Sequence, residues 1–235
     1  MRLFCFAYAG GSAVIYHSWQ RHLPTFVEVC PVELPGRGGR MQEEPFKRME
    51  PLVDALAEAL LPYLDKPFAF FGHSMGALLS FELARQLRRG QDLKPAHLFI
   101  SGHNAPQMHI FYPARHALPK AEFINLLVQM NGTPAEVLEN AELMQILMPV
   151  LQADFAICDF YRYRDEPPLD CAISVFGGLQ DQEMCRGKLE AWREQTNLAF
   201  SLQMFPGDHF FIHTAKPLLL ESLYRQLYEL GRGRL

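Results

Sequence analysis

Ser74 stands in Gly72-His73-Ser74-Met75-Gly76, a spacing in which a hydroxyl can be made into a nucleophile. Glycines two residues to either side suit a sharp strand-to-helix turn that lifts the serine to the edge of a sheet, because a Cβ at those positions would collide with the tight backbone. Gly and Ser are common, so the pattern alone is weak. Its surroundings strengthen it: Phe68 to Phe71 read as a short buried strand, and apolar residues recur at helical spacing from Met75 onward. A purely structural turn is the alternative reading.

An activated serine needs a histidine within hydrogen-bond reach and a carboxylate to fix that histidine's tautomer. After such a turn the chain order is Ser, then Asp or Glu, then His. Of nine histidines, His209 lies in FPGDHFFIHT, directly after the last strand-like run and at the carboxyl edge of a sheet. His213 is its rival, with a capping or surface role as the alternative, and His73 is expected to pack under the turn. Asp181 follows the run AISVFG through Gly178-Leu179-Gln180, whereas the loop after HLFISG offers His103 and Asn104 but no acid. Asp208 adjoins His209, but neighbours in sequence rarely aim side chains at each other, so it is read as a solvated turn residue. Asp154 and Asp159 fall on a helical stretch, where a charged outer face is the default. The backbone N–H groups of Ala9, in the glycine loop AGGS, and of Met75 are the candidate donors to an oxyanion. AGG has neither G-x-G-x-x-G nor G-x-x-x-x-G-K-[ST] spacing, which disfavours a phosphate site.

These residues must be carried by a sheet. Leu3–Tyr8, Phe26–Glu33, Phe68–Phe71, His97–Gly102, Ala172–Gly177 and Phe200–Phe205 read as strands. Helical patterns are expected from Ser12 through Val14, Ile15, Trp19 and Leu23, over Glu50–Leu64, after Met75, over Gly187–Thr196 and over Pro217–Leu230. Such alternation implies an α/β fold with a mostly parallel, doubly wound sheet. The stretch 104–164 looks helical throughout and is too long for a connection, so it reads as a lid over the serine. In the loop ELPGRGGR, Arg37 and Arg40 either orient the loop through carboxylate pairs, the reading adopted, or meet an acidic partner.

The chain has 235 residues, 49% hydrophobic and 20% charged, the make-up of one large α/β domain spanning 1–235. Its five cysteines are scattered without metal or redox spacing. Met1 leads straight into an apolar run with no basic leader, and no run approaches eighteen uninterrupted apolar residues, so a cytoplasmic protein without membrane contact is expected. A net charge of −4 gives no bias toward nucleic acid.

FAYAGGSA, ELPGRGGR, FGHSMGALLSFELA, PAEVLENAELMQ and FPGDHFF, taken together, resemble the type II (stand-alone) thioesterases that accompany nonribosomal peptide and polyketide synthetases. The resemblance runs over nearly the whole chain. It implies an α/β-hydrolase fold with a helical lid, a Ser74, Asp181, His209 triad and oxyanion N–H groups at Ala9 and Met75. It implies hydrolysis of acyl thioesters from the phosphopantetheine arm of acyl or peptidyl carrier proteins, clearing misprimed or stalled groups, with no metal and no bound cofactor. Medium-chain fatty-acid-synthase thioesterases share these motifs. A carboxylesterase or lipase is the rival enzyme, and a catalytically dead carrier-binding module is the rival of another class. Carrier proteins are typically acidic around the modified serine, so Arg115, Lys120 and Arg162, flanking the lid, are the expected docking residues. Arg85, Arg88 and Arg89 read as a favourable helix end. Phe123, Leu127, Leu143, Ile146, Leu147 and Leu151 of the lid either cover an acyl chamber or pack on the body.

Overall fold

The computed structural model describes residues 1–108 and 114–232. Residues 109–113 of the expected insertion lie outside the described residues. Six strands, β1 (Arg2–Phe6), β2 (Glu28–Pro31), β3 (Phe68–His73), β4 (His97–Ser101), β5 (Ala172–Gly178) and β6 (Phe200–Phe205), all pair in parallel in the order β2-β1-β3-β4-β5-β6. The helices are α1 (Met49–Leu60), α2 (Met75–Gln91), α3 (Lys120–Met130), α4 (Ala135–Leu138), α5 (Ala141–Phe160), α6 (Arg186–Glu190), α7 (Phe211–Thr214) and α8 (Lys216–Arg232).

Parallel strands covered on both faces need apolar residues at nearly every position, and their period of two sorts those residues into two cores. Phe4, Phe6, Phe68, Phe70, Leu98, Ile100, Ile173 and Val175 pack with α1 and α2. Leu3, Cys5, Ala69, Phe71, Phe99, Phe176 and Phe205 pack on the other side with Tyr16, Trp19 and the apolar stripe of α8. The chain reverses its direction of strand addition between β1 and β3. The crevice where an open α/β sheet binds its ligand therefore lies between the loops that follow these two strands.

Several boundaries differ from the sequence reading, each for a local reason. The continuous helix expected after Ser12 is two short 3₁₀ turns, Ala13–Tyr16 and Trp19–Arg21. Tyr16 and Trp19, both fully buried, stand three residues apart, a spacing that 3₁₀ geometry aligns on one face. The helix expected to reach Leu64 is α-helical to Leu60 and continues as a 3₁₀ turn containing Pro62, which lacks the N–H an α-turn requires. The helix expected over 187–196 is α6 followed by the 3₁₀ turn Ala191–Gln195.

Between β4 and β5 lie α3, α4 and α5. Helix α5 contains Pro149 and changes character there: Met144 is the one residue buried before it, whereas nearly every residue from Val150 to Asp159 is buried. Its mean hydropathy of 1.4 would suit a membrane span by length and composition, and half of it is buried within the protein. The expectation that Asp154 and Asp159 form a charged outer face is wrong. They are 1% and 3% exposed. Each is neutralised by an arginine from a distant segment, Asp154 by Arg37 and Asp159 by Arg115.

Candidate active site

Strand β3 ends at His73 and α2 begins at Met75, so Ser74 alone makes the turn, at φ 54° and ψ −117°. A non-glycine residue held there stores backbone strain of order 1–3 kcal/mol, which the surrounding structure must enforce. Ser74 N–H donates to Ser101 O at 2.8 Å, pinning the turn to the end of β4. The flanking glycines are steric necessities: a Cβ on Gly72 would lie 2.0 Å from Gly76 O, and one on Gly76 would lie 2.2 Å from Phe6 O. Close packing of α2 against the end of β1 thus brings the serine beside the glycine loop.

The loops after β5 and β6 interlock. Leu179 N–H donates to Phe205 O and Gln180 N–H to Gly207 O, at 2.8 and 2.9 Å. This lays Asp181 against His209, with Asp181 Oδ2 accepting from Nδ1 at 2.8 Å. The other carboxylate oxygen accepts from Glu183 N–H and Met184 N–H at 3.0 and 3.2 Å, which fixes its rotation. With Nδ1 bonded, His209 keeps Nε2 for another partner. Ala9, Ser74, Phe155 and His209 line two small adjoining cavities, and Met75 lines one of them.

The alternative residues are committed elsewhere. His213 Nε2 bonds Tyr8 Oη at 2.9 Å. His73 is fully buried beneath the turn with Nδ1 on Ser101 Oγ, and burial holds its imidazole well below the ordinary histidine range. Asp208 closes its own turn by accepting from Phe210 N–H, and also bonds Asn131 at the end of α3. Cys158 shares the cavity wall with Ser74, but burial pushes its thiol up to about 12, so little thiolate is present near neutral pH.

The glycine loop is a turn in which Gly11 N–H donates to Tyr8 O at 2.8 Å and Gly10 takes φ +77°. That combination marks a type II turn and explains the glycine. Neither that bond nor the one Gly10 N–H makes to Asp154 uses the Ala9 N–H. Arg37 pairs with Asp154, and Arg40 with Glu43, so both arginines of ELPGRGGR hold carboxylates.

Leu127, Met130, Leu151 and Phe155 contribute the apolar wall, while Leu143 and Ile146 are exposed. Phe123 is buried against Phe155 behind that wall. Arg115 lines the cavity itself, bonded to Asp159 and facing the Phe155 ring. Lys120 is exposed at the first position of α3, and exposed Arg162 donates to the Asp159 and Tyr161 carbonyls at the end of α5. Phe155, Met130 and Asn104 also line the cavity and escaped the sequence reading. A wider groove of about 960 Å³ along β6 and α8 holds none of the candidate residues.

The family model described as Thioesterase domain matches residues 1–227. Gramicidin S biosynthesis protein GrsT of Aneurinibacillus migulanus is 46% identical over 227 residues, covering 97% of this chain and 89% of its own. Linear gramicidin dehydrogenase LgrE of Brevibacillus parabrevis is 50% identical over 221 residues, covering 93% and 84%. Among solved structures, RedJ, a thioesterase from the prodiginine biosynthetic pathway in Streptomyces coelicolor, matches with a TM-score of 0.90 at 38% identity, covering 96% of this chain and 89% of its own. Strand order, the turn at Ser74 and these matches agree: the chain belongs to the thioesterase domain family, with an α/β-hydrolase fold.

Proposed function

We propose that this chain is a type II thioesterase that hydrolyses acyl groups from the phosphopantetheine arm of carrier proteins, an editing role in nonribosomal peptide or polyketide synthesis. The observation that carries the reading is the 2.8 Å bond from His209 Nδ1 to Asp181 Oδ2, made where His209 and the strained Ser74 share one cavity, in a chain of the thioesterase family. His209 Nε2 takes the Ser74 proton as Oγ attacks the thioester carbonyl. The N–H groups of Ala9 and Met75 hold the oxyanion, and His209 protonates the departing pantetheine sulfur. Water, deprotonated by His209, then attacks the acyl-serine, the tetrahedral oxyanion reforms and collapses, and the free acid leaves with Ser74 reprotonated. These residues complete the cycle without a metal or a bound cofactor. Helices α3 and α5 act as the lid, and Lys120 and Arg162, both exposed beside it, meet an acidic carrier. The cytoplasm, where such synthetases work, is the proposed location.

The name of one relative, LgrE, includes a dehydrogenase activity, but the first turn here does not suit a dinucleotide. It lacks the glycine fingerprint, and its Gly10 N–H faces the Asp154 carboxylate, an anion where a pyrophosphate would need to sit. The decisive experiment compares hydrolysis of an acyl carrier protein with that of an oxygen ester of the same acyl group, for the native chain and Ser74→Ala. Preference for the thioester, lost in Ser74→Ala, supports the reading. Equal use of the oxygen ester points to a carboxylesterase, and failure of a serine-directed phosphonate to label the native chain points to a non-catalytic module.

A further inference from the structure

We infer that Asp154 is a positioning residue for the oxyanion-stabilising loop, so that the lid helix α5 takes part in the chemistry through a buried carboxylate. The inference rests on the proposed function above and goes beyond it in naming what holds the Ala9 donor in place. Asp154 Oδ2 accepts from Gly10 N–H at 2.7 Å and from Arg37 Nη1 at 2.8 Å, while Oδ1 accepts from Arg37 Nη2 at 2.7 Å. Arg37 Nη1 also donates to Gly11 O at 3.1 Å. The ion pair therefore grips the loop twice, at an N–H and at a carbonyl one residue on, and both charged side chains are almost wholly buried.

Turns of this kind have two orientations of the central peptide, type I and type II, which exchange the places of the second residue's carbonyl and the third residue's N–H. A carboxylate accepts hydrogen bonds and cannot donate them. It holds Gly10 N–H and would repel the Ala9 carbonyl that the flipped turn would present. Such a flip turns only the Ala9–Gly10 peptide; the Ala9 N–H sits in the peptide before it and is held because Asp154 and Arg37 anchor the two residues that follow, Gly10 by its N–H and Gly11 by its carbonyl, so that the turn as a whole cannot shift. An oxyanion donor is useful only when it is aimed before the charge develops. Packing supports the electrostatics, because Leu151, one turn earlier on α5, fills the space above Gly10 so tightly that a Cβ there would lie 2.4 Å from its Cδ2. Both contacts come from the part of α5 after Pro149, the part buried in the body.

The test uses two variants. Arg37→Met with Asp154→Leu replaces the buried pair by apolar groups of similar size, a change often tolerated by folding, yet supplies no acceptor for Gly10 N–H. Asp154→Asn keeps the shape but turns one acceptor into a donor, so that its NH₂ confronts either Arg37 Nη2 or both Gly10 N–H and Arg37 Nη1, and the charge that binds the pair is lost. For a small acyl thioester such as an N-acetylcysteamine derivative, kcat per site titrated with a serine-directed phosphonate should fall roughly 10²- to 10³-fold in the double variant, the loss typical of one oxyanion donor. It should fall at least about tenfold in Asp154→Asn. KM should stay within about threefold, and the affinity for an alkyl boronic acid, which forms a tetrahedral adduct on serine, should drop by the same factor as kcat/KM. A merely structural role would lower the number of titrated sites and the melting temperature but not kcat per site or boronate affinity. A folded double variant with kcat per site within about threefold of the native chain overturns the inference. Should that variant not fold, Asp154→Asn decides alone, and undiminished boronate affinity there overturns it. Ser74→Ala separates the two levels: if it remains active the reading of the site fails, and if it is dead while the Asp154 variants are unimpaired only the clamp fails.

Discussion

Asp181→Asn should be at least as damaging as Asp181→Ala, although it is the milder change in shape. The native carboxylate takes two backbone N–H groups on one oxygen, from Glu183 and Met184, and His209 Nδ1 on the other. An asparagine must give its oxygen to one side and its NH₂ to the other. Facing the oxygen to the backbone keeps two bonds of roughly 1 kcal/mol each, against one for the reverse, and the reverse also presses an NH₂ against two donors. The amide NH₂ therefore turns to His209, which must accept at Nδ1 and carry its proton on Nε2, the nitrogen needed as base. Alanine leaves the tautomer free. The expected loss in kcat is about 10⁴-fold, or roughly 5.5 kcal/mol of transition-state stabilisation at 1.36 kcal/mol per tenfold. The assay is kcat on an acyl N-acetylcysteamine thioester, normalised to folded protein by circular dichroism, with Asp208→Asn as control. Retention of more than about a tenth of native activity by Asp181→Asn, or a comparable loss in Asp208→Asn, would refute both the assignment and the tautomer argument.

Leu127→Ala and Leu151→Ala should shift the acyl-chain preference, since each methylene that finds or loses an apolar wall changes kcat/KM by about fourfold at 0.8 kcal/mol. Exposed Leu143→Ala and Ile146→Ala should leave the profile unchanged, and a reversed pattern would move the chamber elsewhere. His97 is buried with its imidazole held down to about 4 by desolvation, so between about 6.5 and 4 the unfolded chain binds a proton that the folded chain does not. Its contribution is complete above about 6.5 and is lost as pH falls, by about 2 kcal/mol at pH 5, and His97→Gln should flatten the fall of melting temperature over that window. Lys120→Glu should raise KM for an acyl carrier protein roughly three- to tenfold at low salt and less at high salt, while a small thioester is unaffected. Equal losses on both substrates would mean damage to folding or chemistry.

What the sequence disclosed was whatever local geometry dictates. Gly72 and Gly76 are forced by backbone contacts of 2.0 and 2.2 Å, and the strands show their double burial as unbroken apolar runs. Positions at strand ends were legible too, because Asp181 and His209 each follow a strand through a short loop and so arrive at the same edge. Pairings between distant segments were not legible by that route. Asp154 and Arg37 stand 117 positions apart, and no period or spacing joins them. The pattern did contain one signal, the apolar neighbours Ala153, Phe155, Ala156 and Ile157 around Asp154. A helix apolar on all sides is buried, and an acid on such a helix must find a cation. The default of a charged outer face fails for the same reason that it usually works: it assumes a helix with one wet side, and after Pro149 nearly all of α5 is dry.

Dryness also decides how much these groups can do. A carboxylate on a solvated surface would hold Gly10 weakly and be screened by salt, whereas one that is 1% exposed acts in a medium where each hydrogen bond to charge is worth more and its loss costs more. The same burial makes α5, the proposed lid helix, expensive to lift at its carboxyl half. Opening to admit a pantetheine arm should therefore involve α3, α4 and the part of α5 before Pro149, where residues are largely exposed, while the half that bears Asp154 stays on the body and, on the inference above, keeps the proposed Ala9 donor aimed through each cycle. Amide hydrogen exchange tests this directly: residues 141–148 should exchange faster than 150–158 by orders of magnitude, and equal protection across Pro149 would show that the helix moves, or stays, as one piece.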